Sequence, residues 1–160
     1  MDQAFVVRSA DAVQFTTTPT DTMRFLCPGG PEMPDVTDET LSPGDGPPLH
    51  RHPWATWEVV IEGALRVRIG DETIEVGPGD LFFTPPDIPH TFMAIGDTPS
   101  RLIGVNGPGG FHVLYADLAA AFAGDGPPDF AAMAAAAAQH GAEILGPPMA
   151  VTDGINPTEA

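Results

Sequence analysis

The sequence predicts an antiparallel β-sandwich or barrel followed by two helices. Three observations carry this expectation. Between Trp57 and Val105, short runs of alternating apolar and polar residues recur, each stopped by a turn bearing Gly or Pro, the pattern of an all-β domain. After Gly107-Pro108-Gly109-Gly110 the apolar positions change to Phe111, Leu114, Tyr115, Leu118 and Phe122, which is helical spacing. The stretch Gly44 to Gly63 holds His50 and His52 one residue apart. On a strand alternate side chains leave the same face, so both imidazoles point the same way.

Taken in order, Phe5 to Phe15 supplies a strand, and Thr16 to Asp21 is a turn-rich break. Met23 to Cys27 is a second strand, stopped by Pro28-Gly29-Gly30-Pro31, and Glu32 to Ser42 holds a third. From Trp57, Val59-Val60-Ile61 runs to a turn at Glu62-Gly63; Leu65, Val67 and Ile69 then alternate with Arg66 and Arg68. Ile74 and Val76, Leu81 to Phe83, His90 to Ile95 and Arg101 to Val105 follow between further turns. The first helix closes at Gly124. In the second, Asp129 caps the N-terminus, Gly141 the C-terminus, and the body from Phe130 to His140 is alanine-rich, a good helix former with little bulk. Met149 to Ala160 reads as a loose tail.

Composition narrows the function. The chain has 160 residues, enough for one domain with a real core. Six basic residues stand against 22 acidic ones, a net charge of −16, which repels phosphate backbones and anionic lipid. Nucleic acid and membrane are therefore not expected partners; a small-molecule substrate is. All the basic residues are arginine, so Schiff-base chemistry and Walker-type phosphate loops are excluded. The serines Ser9, Ser42 and Ser100 lie in no Gly-x-Ser-x-Gly elbow, against a serine hydrolase. A single cysteine, Cys27, and an N-terminus without basic and long apolar regions give a cytoplasmic expectation. Cys27 beside Leu26 reads as a small buried hydrophobe.

A second stretch, Gly79 to His90, sets a histidine just past the proline turn Pro85-Pro86-Asp87, at the start of a strand. In an antiparallel barrel that strand can lie opposite the one bearing His50 and His52. Together the two stretches resemble the paired sequence motifs of the cupin superfamily. Gly44, His50, His52 and Gly63 match the first motif; Gly79, Pro85 and His90 match the second. The resemblance covers Leu41 to Gly110, and the helices that follow look like the tail of small single-domain, quercetinase-like cupins. It implies an all-β jelly-roll β-barrel with two C-terminal α-helices. The expected organisation is strands or an arm of the barrel over 1–40, the core barrel over 41–110, helices over 111–146 and a flexible tail over 147–160. Homodimers are common in the family, and a dimer is expected here.

The resemblance further implies one divalent metal ion (Fe, Mn, Ni or Zn) held by His50, His52 and His90. Three positions depart from the family pattern. The family glutamate falls at Thr56, whereas the acid is Glu58. Two residues along a strand keep the same face, so Glu58 faces inward about 6–7 Å further along. It is either a ligand, given a bulge, or an acid–base catalyst. The glycine of the second motif is Asp87 and its asparagine is Ala94. Trp54, Trp57, Phe82, Phe92 and Met93 either line a pocket or pack in the core. His112 and His140 read as surface or packing residues, and Asp80 as a turn former.

Three classes of function follow. The first is a dioxygenase-like oxidoreductase on a small organic, aromatic or polyketide-like substrate, since three neutral histidines leave a metal its charge and open positions. The second is a non-redox cyclase, isomerase or lyase of natural-product metabolism, with Glu58 moving a proton. The third is a small-molecule-binding module without turnover.

Overall fold

The computed structural model describes residues 4–18, 21–121 and 129–154. Among the described residues, eleven strands form two antiparallel sheets. The first comprises β1 (Val13–Thr18), β2 (Asp21–Cys27), β3 (Asp35–Leu41), β5 (Ala55–Glu62), β8 (Leu81–Thr84) and β10 (Ser100–Gly107), in the order β1-β2-β3-β10-β5-β8. The second comprises β4 (Pro48–Arg51), β6 (Ala64–Ile69), β7 (Glu72–Val76), β9 (His90–Ile95) and β11 (Glu143–Pro148), in the order β11-β4-β9-β6-β7. This is the predicted jelly roll, with the sheets left open rather than closed into a barrel. Helices α1 (Phe111–Ala121) and α2 (Phe130–Gln139) follow the sandwich strands, and a short α3 (Met149–Thr152) ends the described chain. Among the described residues no helix is long and apolar enough to cross a membrane.

The interior has two unlike ends. Leu41, Val60, Phe82 and Leu102 from the first sheet meet Leu65, Val67, Phe92 and Ala94 from the second in one dry cluster. Further along the same strands, the same parity of residue becomes polar. Val60 is followed inward by Glu58 and Thr56, Leu102 by Gly104 and Asn106, and Leu41 by Glu39 and Thr37. Burial of the apolar end drives the sandwich together; the polar end is where chemistry can be housed.

Helix α1 is fastened to the polar end by one carboxylate. Asp35, fully buried on β3, accepts hydrogen bonds from the backbone N–H groups of Gly29 (2.8 Å), Gly110 (2.6 Å) and Phe111 (2.8 Å), and from Nδ1 of His112 (2.8 Å). Its negative charge sits at the N-terminus of α1, where the helix dipole favours it. An aromatic cluster then packs the helix down: Tyr115 lies 5.7 Å from Phe25 and 4.8 Å from Phe111, ring centre to ring centre. Helix α2 starts on the predicted cap, Asp129 accepting from the N–H groups of Ala131 and Ala132 at 3.0 Å.

Several sequence expectations need correction. The first strand begins at Val13, not Phe5, and runs on to Thr18; a short 3-10 turn at Ser9–Asp11 precedes it. The segment expected to be a loose tail is folded through Gly154. Glu143–Pro148 pairs with β4, opposite His50 and Arg51, and Met149 and Ala150 are buried against Met93. Gly146, Pro147 and Pro148 are strand breakers by type, but on an edge strand such residues cost few ladder hydrogen bonds. The predicted close of α1 at Gly124, with Phe122, lies outside the described residues, as does the end of the tail.

Replacing Asp35 by Ala strands buried N–H donors and releases α1. Urea unfolding should show a loss of more than about 3 kcal/mol, the scale for breaking a buried charged hydrogen-bond group.

Candidate metal centre

His50 reaches the site on β4, and Gly46 lets that strand in. A Cβ on Gly46 would stand 1.9 Å from the carbonyl oxygen of Phe92, so only glycine fits. The flanking backbone is clipped to β9 by Gly44 N–H to Ala94 O (2.8 Å) and Ala94 N–H to Asp45 O (2.9 Å). His50 then pairs in register with His90, the first residue of β9. His52 follows just beyond β4 and is clipped to the second motif, its carbonyl accepting from the N–H of Asp87 at 2.7 Å. Asp87 has φ 62°, the left-handed conformation that the family glycine would take freely and that Asp tolerates better than most residues.

The structure brings His50, His52 and His90 together, with one ligand-capable atom from each within 4.8 Å of the others. Ring centres are 4.2 Å apart for His50 and His90, 4.6 Å for His52 and His90, and 5.5 Å for His50 and His52. In each ring Nδ1 donates to a backbone carbonyl: Pro48 at 2.8 Å, Trp54 at 2.9 Å and Ile88 at 2.8 Å. A carbonyl can only accept, so Nδ1 carries the proton and Nε2 keeps its lone pair. This is the arrangement by which proteins orient histidine ligands. Burial, then the neighbouring His90 and His52, pushes His50 down to about 3. Burial and then His90 push His52 down to about 4, and burial lowers His90. The rings are therefore neutral at physiological pH, and a donor set of three neutral imidazoles fits a divalent first-row ion.

No carboxylate joins this cluster among the described residues. At the position of the family glutamate, Thr56 is buried and donates to Oδ1 of Asn106 at 3.0 Å. Glu58 faces inward as expected, opposite Gly104 and Phe82, but outside the ligand cluster. Glu39 on β3 lies near enough for the two carboxyls to act on each other. Desolvation raises the Glu58 carboxyl to about 8, so at neutral pH it holds a proton and acts first as an acid. Ala94, where the family has asparagine, belongs to the dry core.

A cavity of about 200 Å³ opens against His50 and His52. Its walls come largely from the C-terminal elements: Phe111, Leu114, Tyr115 and Leu118 of α1, Phe130, Met133 and Ala137 of α2, and Ile144 of β11. Trp54 lines it too, stacked on His52 at 4.3 Å. Of the other aromatic candidates, Phe82, Phe92 and Met93 are core, and Trp57 is on the outer face against Phe83. His112 binds Asp35, and His140 pairs with Asp117 at 2.6 Å. Asp80 accepts from Gly77 N–H at 2.8 Å, a turn contact.

Sequence reasoning missed Asp21, Glu39 and Tyr115, which also line the cavity. A signal was present for one of them. Glu39 shares its strand parity with Leu41 and Thr37, so a carboxylate on the inward face of β3 was readable once the strand was placed.

A jelly roll that brings three histidines together could hold a metal ion, and the comparisons with known proteins agree on the fold. Residues 37–106 match the cupin domain family. Those residues form a cupin domain. Oxalate decarboxylase OxdC of Bacillus subtilis (strain 168) is 40% identical over 68 residues, covering 39% of this chain and 18% of OxdC; the chain thus spans under a fifth of that relative's length. An RmlC-like cupin from Shewanella frigidimarina NCIMB 400 superposes with a TM-score of 0.60 at 18% identity, over 69% of this chain and 96% of that one. KdgF from Halomonas sp. gives 0.60 at 15%, over 69% and 99%. Both show the fold alone. The polyketide cyclase RemF from Streptomyces resistomycificus gives 0.55 at 28% identity, over 65% and 79%.

Replacing His90 by Ala removes one of the three converging lone pairs. Elemental analysis after zinc loading should show affinity falling by more than the roughly 10–100-fold typical of losing a group that merely orients a ligand.

The metal-free protein should be most stable at mildly acid pH. His50 and His52, lowered from 6.5 to about 3 and about 4, contribute fully above pH 6.5 and lose that contribution as pH falls toward those values. Glu58, raised from 4.5 to about 8, contributes fully below pH 4.5 and loses it as pH rises through 8. Thermal melts should peak at about pH 4.5–6.5, where the two windows overlap, and Glu58→Gln should lessen the alkaline loss without removing it, since burial also raises Glu39.

Proposed function

We propose that this protein is a metal-dependent enzyme that acts on a small, largely apolar organic molecule by non-redox acid–base chemistry of the cyclase, isomerase or lyase kind. The carrying observation is Glu58: a proton-bearing carboxyl inside the sandwich, next to the group of acids that borders the cavity. A carboxyl at about 8 exchanges its proton near neutral pH, which is what a general acid–base catalyst requires. His50, His52 and His90 would hold the ion, which when bound supplies Lewis-acid polarisation of a carbonyl. The walls of α1 and α2 exclude water and hold the molecule against the imidazoles. The similarity to a protein named as a polyketide cyclase supports this reading.

A dioxygenase remains the second reading, favoured by the all-nitrogen donor set, which leaves a metal open positions. A binding module without turnover ranks third, because it gives Glu58 no task.

The two enzyme readings separate on 1-tetralone, a neutral bicyclic ketone. Zinc-loaded protein under argon should exchange the C2 hydrogens of 1-tetralone with deuterium, followed by NMR. Glu58→Gln should slow the exchange by about 10²–10⁴-fold with zinc content unchanged. Conversion that needs iron and consumes O₂ instead establishes the dioxygenase.

We also propose that the protein is a homodimer joined through the outer face of the first sheet. There Trp57 (40% exposed), Ile61 (39%), Leu81 (56%) and Phe83 (41%) form an apolar patch beside the edge strand β8. With a net charge of −16, a charge-poor face is where two copies approach at least electrostatic cost. Sedimentation at micromolar concentration should give a dimer, and Trp57→Glu a monomer.

A further inference from the structure

Glu39 stands in the cavity without a task in the chemistry above. It is 4% exposed, lines the cavity, and has no hydrogen-bond partner among the described residues. A buried carboxyl left unpaired costs the fold free energy, so such groups commonly mark a place for a ligand.

The surroundings fix the charge of what can bind. Asp21 and Glu58 both act on Glu39, and no arginine lines the cavity. Desolvation, then Asp21, then Glu58 raise the Glu39 carboxyl well above the ordinary range. Tyr115, also in the wall, is raised by burial and then by Glu39. Both groups thus present O–H donors, and the acid oxygen also accepts. A ligand carboxylate set against Glu39 would add a negative charge to a buried acidic group that no arginine of the lining offsets, which is strongly unfavourable while the histidines hold no ion. A hydrocarbon would leave Glu39 unpaired. A neutral hydroxyl or carbonyl satisfies it.

We propose that Glu39, with Tyr115 beside it, is the polar anchor of the cavity, and that it selects an uncharged, largely apolar bicyclic or similar aromatic molecule bearing a hydroxyl or carbonyl oxygen, and rejects carboxylates. This rests on the cavity being the ligand site of the proposed enzyme, and deepens that reading. It also sets the chain apart from what the name of its curated relative would suggest, since oxalate is a small dianion.

Three probes of one shape decide it: 1-naphthol, naphthalene and naphthalene-1-carboxylate, titrated by calorimetry into metal-free protein, with zinc uptake measured separately. Wild-type protein should bind 1-naphthol at least about tenfold more tightly than naphthalene, the scale of one buried polar group left unpaired. Naphthalene-1-carboxylate should bind more weakly than either. Glu39→Leu should abolish the preference for 1-naphthol with zinc uptake unchanged, and Glu39→Gln, whose amide still donates and accepts, should keep part of it. The wild-type comparison needs no variant, so it decides even if Glu39→Leu fails to fold. Equal or tighter binding of the carboxylate overturns the proposal, as does no binding of 1-naphthol up to about 1 mM, or a tenfold preference surviving in Glu39→Leu. Wild-type protein that takes up no zinc but keeps the 1-naphthol preference would refute the metal-enzyme reading and leave the anchor standing.

Discussion

Three hydrogen bonds from imidazole to backbone decide the character of this protein. Each Nδ1–H of His50, His52 and His90 is spent on a carbonyl two residues away in sequence. The three Nε2 lone pairs are then left facing one another with no proton between them. Such a group is repulsive in the metal-free state, and burial forbids relief by protonation, as the lowered histidine values show. The strands must therefore hold the rings in place. They do so through the close approach of Gly46 to β9, the backbone clips at Gly44 and Ala94, and the bond from Asp87 to His52. Stability is committed to the site by the fold, as expected where a cation is to repay it.

The opposite constraint operates a few residues away. Glu58 and Glu39 face inward on neighbouring strands of the first sheet, and desolvation keeps their protons on. One interior thus holds neutral bases at its histidine end and neutral acids nearby, each group's charge suppressed by the same lack of water. That pairing of environments is what the proposed acid–base chemistry near neutral pH requires. The apolar end of the sandwich, from Leu41 to Leu102, makes this possible, because its burial offsets the cost of enclosing polar groups.

The C-terminal elements turn an open sandwich into a container. Without α1, α2 and β11 the histidines would face solvent across an open sheet edge. Asp35 is the fastening, since it satisfies the first N–H groups of α1 from a position on β3. The cavity walls are drawn from α1 and α2, so their side chains set which molecule fits.

The resemblance to cupins implied the jelly roll and His90 as the third histidine; the residues by themselves determined an antiparallel β fold, the succession of its central strands, both helix starts and the shared face of His50 and His52. The latter features rest on local rules: strand parity, turn residues, capping, and a spacing that places His50 and His52 on one face. The sequence also placed Glu58 inward, by parity alone. Only the tertiary structure decided that Glu58 lies apart from the ligand cluster, that Thr56 is instead tied to Asn106, and that Glu39 shares the cavity. Strand pairing sets these relations across residues far apart in sequence, and no local pattern encodes them. The same holds for Glu143–Pro148, whose glycine and prolines read as a break yet form a strand, because β4 offered an open edge beside His50.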